Sequence, residues 1–319
     1  MLLLLALACR PPSSTEAESD TGVLDLRQDY PKAEGKSVQI RSPDLLVPAY
    51  SEKLYCYYGT WNGGDQAVNL LRTYQAAPYN HHNQLKLVEE DEAPPDGTLA
   101  ECEIEEAMTY RPFIDGVPPM DIEGGHASLP DEVTNMLRLP EGYAVKLEAG
   151  RHWVLDTHYV NTTGRDILVN SAVNIGFAEM ADVEKWVGVM QLDAGGLAIP
   201  PGDYSRSFDC SWPTELEVLV LSSHMHERGT AYAVDRVSGE EVQRVHEVPE
   251  WSDAYRAYAK MDVFEPGELV LAPHEALRTT CSWYNETEET LGFPEEMCTT
   301  LAMVAPLDQP HLCDSGAWR

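Results

Sequence analysis

Short segments of alternating apolar and polar residues, separated by glycine and proline, recur along this chain of 319 residues. The segment 84–88 (QLKLV) alternates, and the segment 218–221 (VLVL) is continuously apolar. Alternation with a period of two is typical of a half-buried strand, and a short apolar run is typical of an interior strand. No unit of roughly 20–50 residues repeats, which argues against solenoids and propellers. The pattern therefore predicts an all-β protein made of two tandem β-sandwiches.

The amino terminus differs from the rest of the chain. An apolar run ends at Cys9 and is too short to span a bilayer, and the residues after it are rich in proline, serine, threonine and acid. Two interpretations stay open: a lipoprotein signal with its lipid on Cys9, or a trimmed ordinary signal peptide. Both predict an exported protein, periplasmic or at the cell surface. Residues 10–42 are predicted to be a flexible acidic tether.

The remaining chain divides into two predicted domains. We expect an N-terminal β-sandwich over residues 43–182 and a C-terminal β-sandwich over residues 183–319. Residues 117–130 are predicted to form a loop.

Charge and cysteine content restrict the partners and the compartment. The chain has 22 Lys and Arg against 53 Asp and Glu, a net charge of −31, which excludes nucleic acid as a partner. Setting Cys9 aside leaves six cysteines, a number that suits three disulfides in an oxidising compartment. The absence of a Cys-x-x-Cys motif gives no support to a thiolate zinc site.

A His-x-His motif, His224 and His226, closes the predicted strand 215–226. On a strand, both imidazoles point to the same side, while Met225 points to the other. Two nitrogen ligands side by side on a rigid element are a common beginning of a metal site. The sequence must then supply further ligands.

Four other residues could complete metal sites. His81 and His82 are adjacent, so both reach one ion only at a bend or bulge. His158 lies near the end of the predicted strand 153–160, where a core histidine is the alternative. Met297 precedes Cys298, and a disulfide to the nearby Cys281 would hold it in place. A thioether selects Cu(I), so copper is the ion that fits two imidazoles plus methionine.

Several motifs follow one another in a recognisable order. They are His81-His82, Arg138-Leu139-Pro140, Val154-Leu155-Asp156-Thr157-His158-Tyr159, Ile199-Pro200-Pro201-Gly202, His224-Met225-His226 and Glu296-Met297-Cys298. In these motifs, over about residues 45–319, the chain resembles the copper type II, ascorbate-dependent monooxygenases. That family includes peptidylglycine α-hydroxylating monooxygenase and dopamine β-monooxygenase.

The resemblance implies two jelly-roll-like antiparallel β-sandwiches with a cleft between them and one copper in each. It assigns His81, His82 and His158 to an electron-transfer copper, and His224, His226 and Met297 to the catalytic copper that binds dioxygen and substrate. It also implies the disulfides Cys56–Cys102, Cys210–Cys313 and Cys281–Cys298. The expected reaction hydroxylates a C–H bond of a small molecule or peptide, with O2 and ascorbate or another one-electron reductant. We expect a monomer.

The peptide-carboxylate pocket of the family is not reproduced. Its positions are occupied by Ser222, Thr299 and Leu301, so the substrate is not defined. Arg228 shares the strand parity of His224 and His226, which suggests that it binds an anionic substrate. Two other functions remain alternatives: an exported copper-binding or copper-buffering protein, and an iron or manganese cupin, for which Glu227 is badly spaced.

Overall fold

The computed structural model describes residues 22–75, 79–103, 111–114, 133–252, 255, 260–293 and 295–318, with backbone alone at 80–82, 111–114 and 133–136. The predicted all-β fold is confirmed, because strands make up 57% and helix 2% of the structure. A 3-10 turn, η1 (Met180–Asp182), interrupts the strands near the middle of the chain. Cys9 and the predicted loop 117–130 lie outside the described residues.

Fourteen strands of the first half form three sheets. The strands are β1 (Leu24–Asp25), β2 (Ser37–Arg41), β3 (Leu45–Val47), β4 (Ser51–Thr60), β5 (Gln66–Gln75), β6 (Asn80–Val88), β7 (Leu99–Glu101), β8 (Arg111–Ile114), β9 (Val133–Arg138), β10 (Tyr143–Leu147), β11 (His152–Asn161), β12 (Ile167–Val169), β13 (Ser171–Ala178) and β14 (Lys185–Trp186). A six-stranded sheet has the order β14-β10-β5-β13-β2, with β9 also paired to β5, and a five-stranded sheet has the order β7-β4-β11-β6-β8. The third sheet, β1-β12-β3, has three strands.

The six-stranded and five-stranded sheets pack face to face. Val68 and Val173 of the larger sheet lie in one buried cluster with Leu85 and Leu155 of the smaller sheet. Successive side chains of a strand point to opposite faces, so each sheet contributes one apolar face to this core. The first half is therefore a β-sandwich.

Eleven strands of the second half form two sheets. The strands are β15 (Gly188–Asp193), β16 (Gly202–Ser211), β17 (Leu216–His224), β18 (Gly229–Ser238), β19 (Glu241–Val248), β20 (Met261–Val263), β21 (Leu269–Leu271), β22 (Ala276–Asn285), β23 (Thr299–Ala305), β24 (His311–Asp314) and β25 (Ala317–Trp318). A seven-stranded sheet has the order β20-β17-β23-β15-β24-β25, with β21 also paired to β17, and a four-stranded sheet has the order β16-β22-β18-β19. Leu221 and Val304 of the former pack with Val234 and Trp283 of the latter in the second core.

Contacts join the two halves at one end of β17. Val220 and Met303 belong to the same buried cluster as Tyr143 of the first half. Next to them, the buried Glu217 accepts hydrogen bonds from the Tyr143 hydroxyl at 2.8 Å and from the Lys185 ammonium at 2.6 Å. Apolar packing and a shared carboxylate thus hold the halves together.

Part of the predicted tether is folded. Strand β1 pairs with β12, and β2 pairs with β13 at the edge of the six-stranded sheet. Between them Tyr30, only 4% exposed, stacks on Tyr74 with ring centroids 5.2 Å apart. The alternation of Val38 and Ile40 with polar neighbours carries a strand signal that the polar composition of the region concealed. Residues 24–41 therefore belong to the folded protein.

The three disulfides that the resemblance implied are confirmed: Cys56–Cys102, Cys210–Cys313 and Cys281–Cys298. Disulfides of this kind indicate an oxidising compartment outside the cytoplasm. Among the described residues, no helix has the length and apolar character needed to cross a bilayer.

Candidate metal centres

The first candidate ligand set lies where β6 and β11 pair. The α-carbon of His158 is opposite that of His82, and the next residue, Tyr159, is opposite Asn80. The register therefore shifts by one residue, and His81 is the extra residue on β6. A bulge of this kind re-aims consecutive side chains, which is the backbone feature that two adjacent histidines need to reach one ion.

The imidazole of His158 is held inside the protein and lies against an acid. His158 is 3% exposed, and its Nε2 is 2.7 Å from Oε1 of Glu52 on β4. A negative charge beside Nε2 favours a proton there, which leaves Nδ1 as the nitrogen with the lone pair for a metal.

The second candidate set begins at the end of β17. The predicted strand 215–226 is too long, because β17 ends at His224 and residues 226–229 form a turn. The two imidazoles are nevertheless neighbours, with ring centroids 5.3 Å apart and ring planes at 89°. Two imidazoles bound to one ion, each at about 2.0–2.1 Å, have ring centres roughly 5 Å apart, so this pair fits a shared metal.

His226 is fixed by hydrogen bonds even though it lies outside the strand. Its Nδ1 is 3.1 Å from the carbonyl oxygen of Glu295, and the indole nitrogen of Trp251 donates to the His226 carbonyl at 2.9 Å. Because a carbonyl can only accept, Nδ1 carries the proton and Nε2 carries the lone pair. This is the tautomer in which Nε2 can ligate a metal.

Gly229 is required for this turn to close. A Cβ at that position would lie 2.2 Å from the terminal methyl of Met225 and 2.8 Å from the Trp251 ring. Trp251 can therefore reach the His226 carbonyl only because residue 229 has no side chain.

Met297 lies on the chain segment that faces this turn. The pairing of β17 with β23 places Ser222 opposite Leu301 and ends with His224 opposite Thr299. Beyond it, Glu296, the residue before Met297, accepts a hydrogen bond from the backbone N–H of His226 at 3.2 Å. Met297 is partly buried, and it is followed by Cys298, which the disulfide ties to Cys281 on β22. The structure thus brings the backbone of Met297 to the side of the turn that holds His226.

The three residues at the predicted peptide-carboxylate positions come together beside His224. Ser222 and Leu301 face each other across β17 and β23, and Thr299 is opposite His224. The Thr299 hydroxyl donates to Asp193 on β15 at 2.8 Å. Burial raises the pKa of Asp193, although the hydrogen bonds from Thr299 and Gln191 act in the opposite direction. The strand pairing thus places a serine, a threonine and a leucine around His224, with an acid hydrogen-bonded to the threonine.

Arg228 does not have the position that strand parity suggested. It lies in the turn after β17, where its backbone N–H donates to Glu296 at 2.7 Å. Its guanidinium pairs with Glu227 at 2.6 Å, so the charge that was predicted to meet an anionic substrate is already balanced. The parity argument is wrong, because the strand ends four residues before Arg228. Binding of substrate by Arg228 stays a prediction.

Sequence reasoning gave no role to Glu52, Trp251 or Glu296. Glu52 and Trp251 are distant in sequence from the histidines that they contact, so no local pattern points to them. Glu296 adjoins Met297 and was visible only as part of a motif. Among the residues whose side chains are described, no group of three or more His, Cys, Asp or Glu forms a metal site. The second candidate set has two imidazoles and a thioether, and the first includes His81 and His82, where only backbone is described.

No protein-family model matches this chain, and no curated protein matches it. The functional assignment therefore depends on the motifs and on the geometry of the described residues.

Proposed function

We propose that the protein is a copper-dependent monooxygenase that hydroxylates a substrate C–H bond with O2 and an external reductant such as ascorbate. The observation that carries the proposal is the imidazole pair of His224 and His226 at the end of β17, whose ring centroids are 5.3 Å apart and which lies next to the segment of Met297. A second copper is assigned to His81, His82 and His158, because His158 and His82 are opposite each other at a bulge.

The donor chemistry selects copper. Two imidazoles with a thioether favour Cu(I) over zinc, calcium or magnesium, and all six cysteines in the described residues form disulfides, so no thiolate competes there. Copper, when bound, supplies one-electron redox chemistry and a site for dioxygen. In the overall reaction one oxygen atom enters the C–H bond and the other leaves as water. The reductant supplies the two electrons, and two protons are consumed.

The residues of the chain contribute orientation and access. The Glu295 carbonyl holds the proton of His226 on Nδ1, so Nε2 would be the nitrogen that binds the ion. His224 and His226 are partly exposed, which gives substrate and dioxygen access to that set, whereas His158 is buried. Thr299, braced by Asp193, lies beside His224 on the face where a substrate would bind.

The compartment and the domain arrangement belong to the same proposal. We propose export to the periplasm or the cell surface, either with a lipid on Cys9 or after removal of an ordinary signal peptide. We also propose two jelly-roll-like domains with the two copper sites facing each other across a cleft. The disulfides support export, since they need an oxidising compartment.

Copper stoichiometry combined with oxygen consumption tests the function. Purified protein is loaded with copper, the metal is counted, and ascorbate-driven O2 uptake is followed over small-molecule and peptide substrates. We expect two coppers per chain and O2 uptake coupled to a hydroxylated product, with zinc-loaded protein as the inactive control. Tight binding of two coppers without turnover over the substrate set would instead identify a copper-buffering protein. Failure to bind copper would reject both functions.

A further inference from the structure

The carboxyl group of Glu296 is buried beside the second candidate set and accepts three hydrogen bonds. Its Oε1 accepts from the backbone N–H of Arg228 at 2.7 Å. Its Oε2 accepts from the backbone N–H of His226 at 3.2 Å and from the indole N–H of Trp283 at 3.1 Å. Glu296 has no exposed surface, so solvent does not share these contacts. Both oxygens act only as acceptors in these contacts.

These hydrogen bonds connect two segments that sheet pairing does not hold. His226 follows the end of β17, and Met297 precedes the beginning of β23 at Thr299. The turn of His226 is therefore joined to the segment of Met297 through Glu296, which is the residue before Met297. Trp283 on β22 supplies the third hydrogen bond and anchors the carboxyl group to the opposite sheet.

We propose that Glu296 is a positioning residue that sets the separation between the imidazole of His226 and the thioether of Met297. This inference rests on the proposed copper site. Its physical basis is that one rigid, buried carboxyl group binds the backbone of one ligand and is covalently continuous with the other. Such partners outside the ligand set orient the ligands, and their loss typically weakens metal binding about 10- to 100-fold.

The amide variant Glu296→Gln tests this role at nearly constant volume. Glutamine has one acceptor oxygen, and its NH2 group would face an N–H donor on the other side. At least one of the three hydrogen bonds must therefore be lost. Glu295→Gln is the matched control, because the Glu295 side chain is exposed and only its backbone carbonyl contacts His226.

Three measurements are made on the full chain with Cu(I) alone as the probe. Competition with a chromophoric chelator gives the affinity of each site. X-ray absorption reports whether sulfur is a ligand. Hydrogen exchange of the metal-free protein reports the protection of the His226 and Arg228 amides. In Glu296→Gln we expect the affinity of the first set, with His158, to be unchanged. The affinity of the second set, with His226 and Met297, should fall about 10- to 100-fold with loss of the sulfur signal. The amides of His226 and Arg228 should exchange faster. Glu295→Gln should match the wild type.

Retention of the sulfur signal and of affinity within about twofold in Glu296→Gln would overturn the proposal, even if the variant unfolds more easily. If Glu296→Gln does not fold, Trp283→Phe removes a single hydrogen bond to Glu296 and should produce the same changes with a smaller magnitude. Unchanged Cu(I) affinity and an unchanged sulfur signal in Trp283→Phe would also overturn the proposal. If the wild type binds no copper, the proposed function fails, while the exchange data still decide whether Glu296 orders the turn.

Discussion

The two candidate metal sites are built in opposite ways. The first lies within the ladder of β6 and β11, where His158 is opposite His82 and a bulge adds His81. The second lies beyond the ends of β17 and β23, where a turn carries His226 and a short segment carries Met297. His158 is 3% exposed, whereas His224 and His226 are partly exposed. One site is thus part of a sheet, and the other is assembled from the segments that leave a sheet.

The difference matches the two tasks in the proposed reaction. A site that stores one electron benefits from a rigid, shielded set of ligands, because little reorganises when its charge changes. A site that binds dioxygen and substrate must stay accessible. Segments outside the ladder provide that access but need other supports, and here these are the Cys281–Cys298 disulfide, Trp251 and Glu296. The comparison predicts that changes to these supports affect only the second site.

The largest expected effect comes from removing one ligand of each set. His158→Ala and His224→Ala should each retain one copper of two and lose turnover by at least about 100-fold, the loss typical of displacing a reacting group. The two variants should differ in X-ray absorption, because the sulfur ligand persists in His158→Ala and disappears in His224→Ala. His274→Asn is the control, since this exposed residue has φ 68°, which Asn tolerates. Loss of sulfur in both variants would mean that the sites are not separate.

Removing a disulfide should have an intermediate effect, and the two disulfides compared here should differ in whether their loss affects copper binding. The chain-entropy account gives about 4 kcal/mol for Cys56–Cys102, with a separation of 46 residues, and about 3 kcal/mol for Cys281–Cys298, with a separation of 17. We expect the Ala pair at 56 and 102 to lose more stability in urea unfolding yet keep both coppers. The Ala pair at 281 and 298 should lose the copper with the sulfur ligand. Unchanged Cu(I) affinity in the latter would contradict the role given to this disulfide.

The smallest expected effect is on stability, at the Glu217 contact between the two halves. It tests whether this contact can be weakened without changing copper binding at either site. Although burial raises the pKa of Glu217, the hydrogen bonds from Lys185, Tyr143 and the Gly267 amide outweigh it and lower the pKa below the ordinary 4.5. A group whose pKa is lower in the folded state stabilises the protein above its unfolded pKa. That contribution is lost as the pH falls through the folded value. Urea unfolding should therefore show wild-type stability declining below about pH 4.5.

The variant Glu217→Gln should be about 1–2 kcal/mol less stable at pH 7, with a weaker decline in acid. Both coppers should bind as in the wild type. Glu215→Gln, at an exposed neighbour, is the control. An identical acid profile in wild type and Glu217→Gln would show that this carboxylate does not couple folding to pH.

Much of the fold followed from short-range patterns. The predicted strands around 84–88, 153–160 and 218–221 exist as β6, β11 and β17. The predictions were wrong where neither composition nor periodicity marks the end or the presence of a strand. The strand 215–226 was predicted too long, because nothing in the local sequence shows that pairing with Thr299 ends at His224. The strand β2 was hidden in a polar region, and it is stabilised by pairing with β13, more than 100 residues away in sequence.

For the candidate metal sites too, the sequence determined one part and the tertiary structure another. Residue type and spacing along the chain determined which side chains could bind a soft metal: the paired histidines, His158, and a methionine next to a cysteine. Only the tertiary structure decided that His158 is opposite His82, that His226 lies in a turn, and that Glu52, Trp251 and Glu296 support these residues. The physical reason is that periodicity acts over a few residues, whereas register and buried hydrogen bonds depend on partners that only folding brings near.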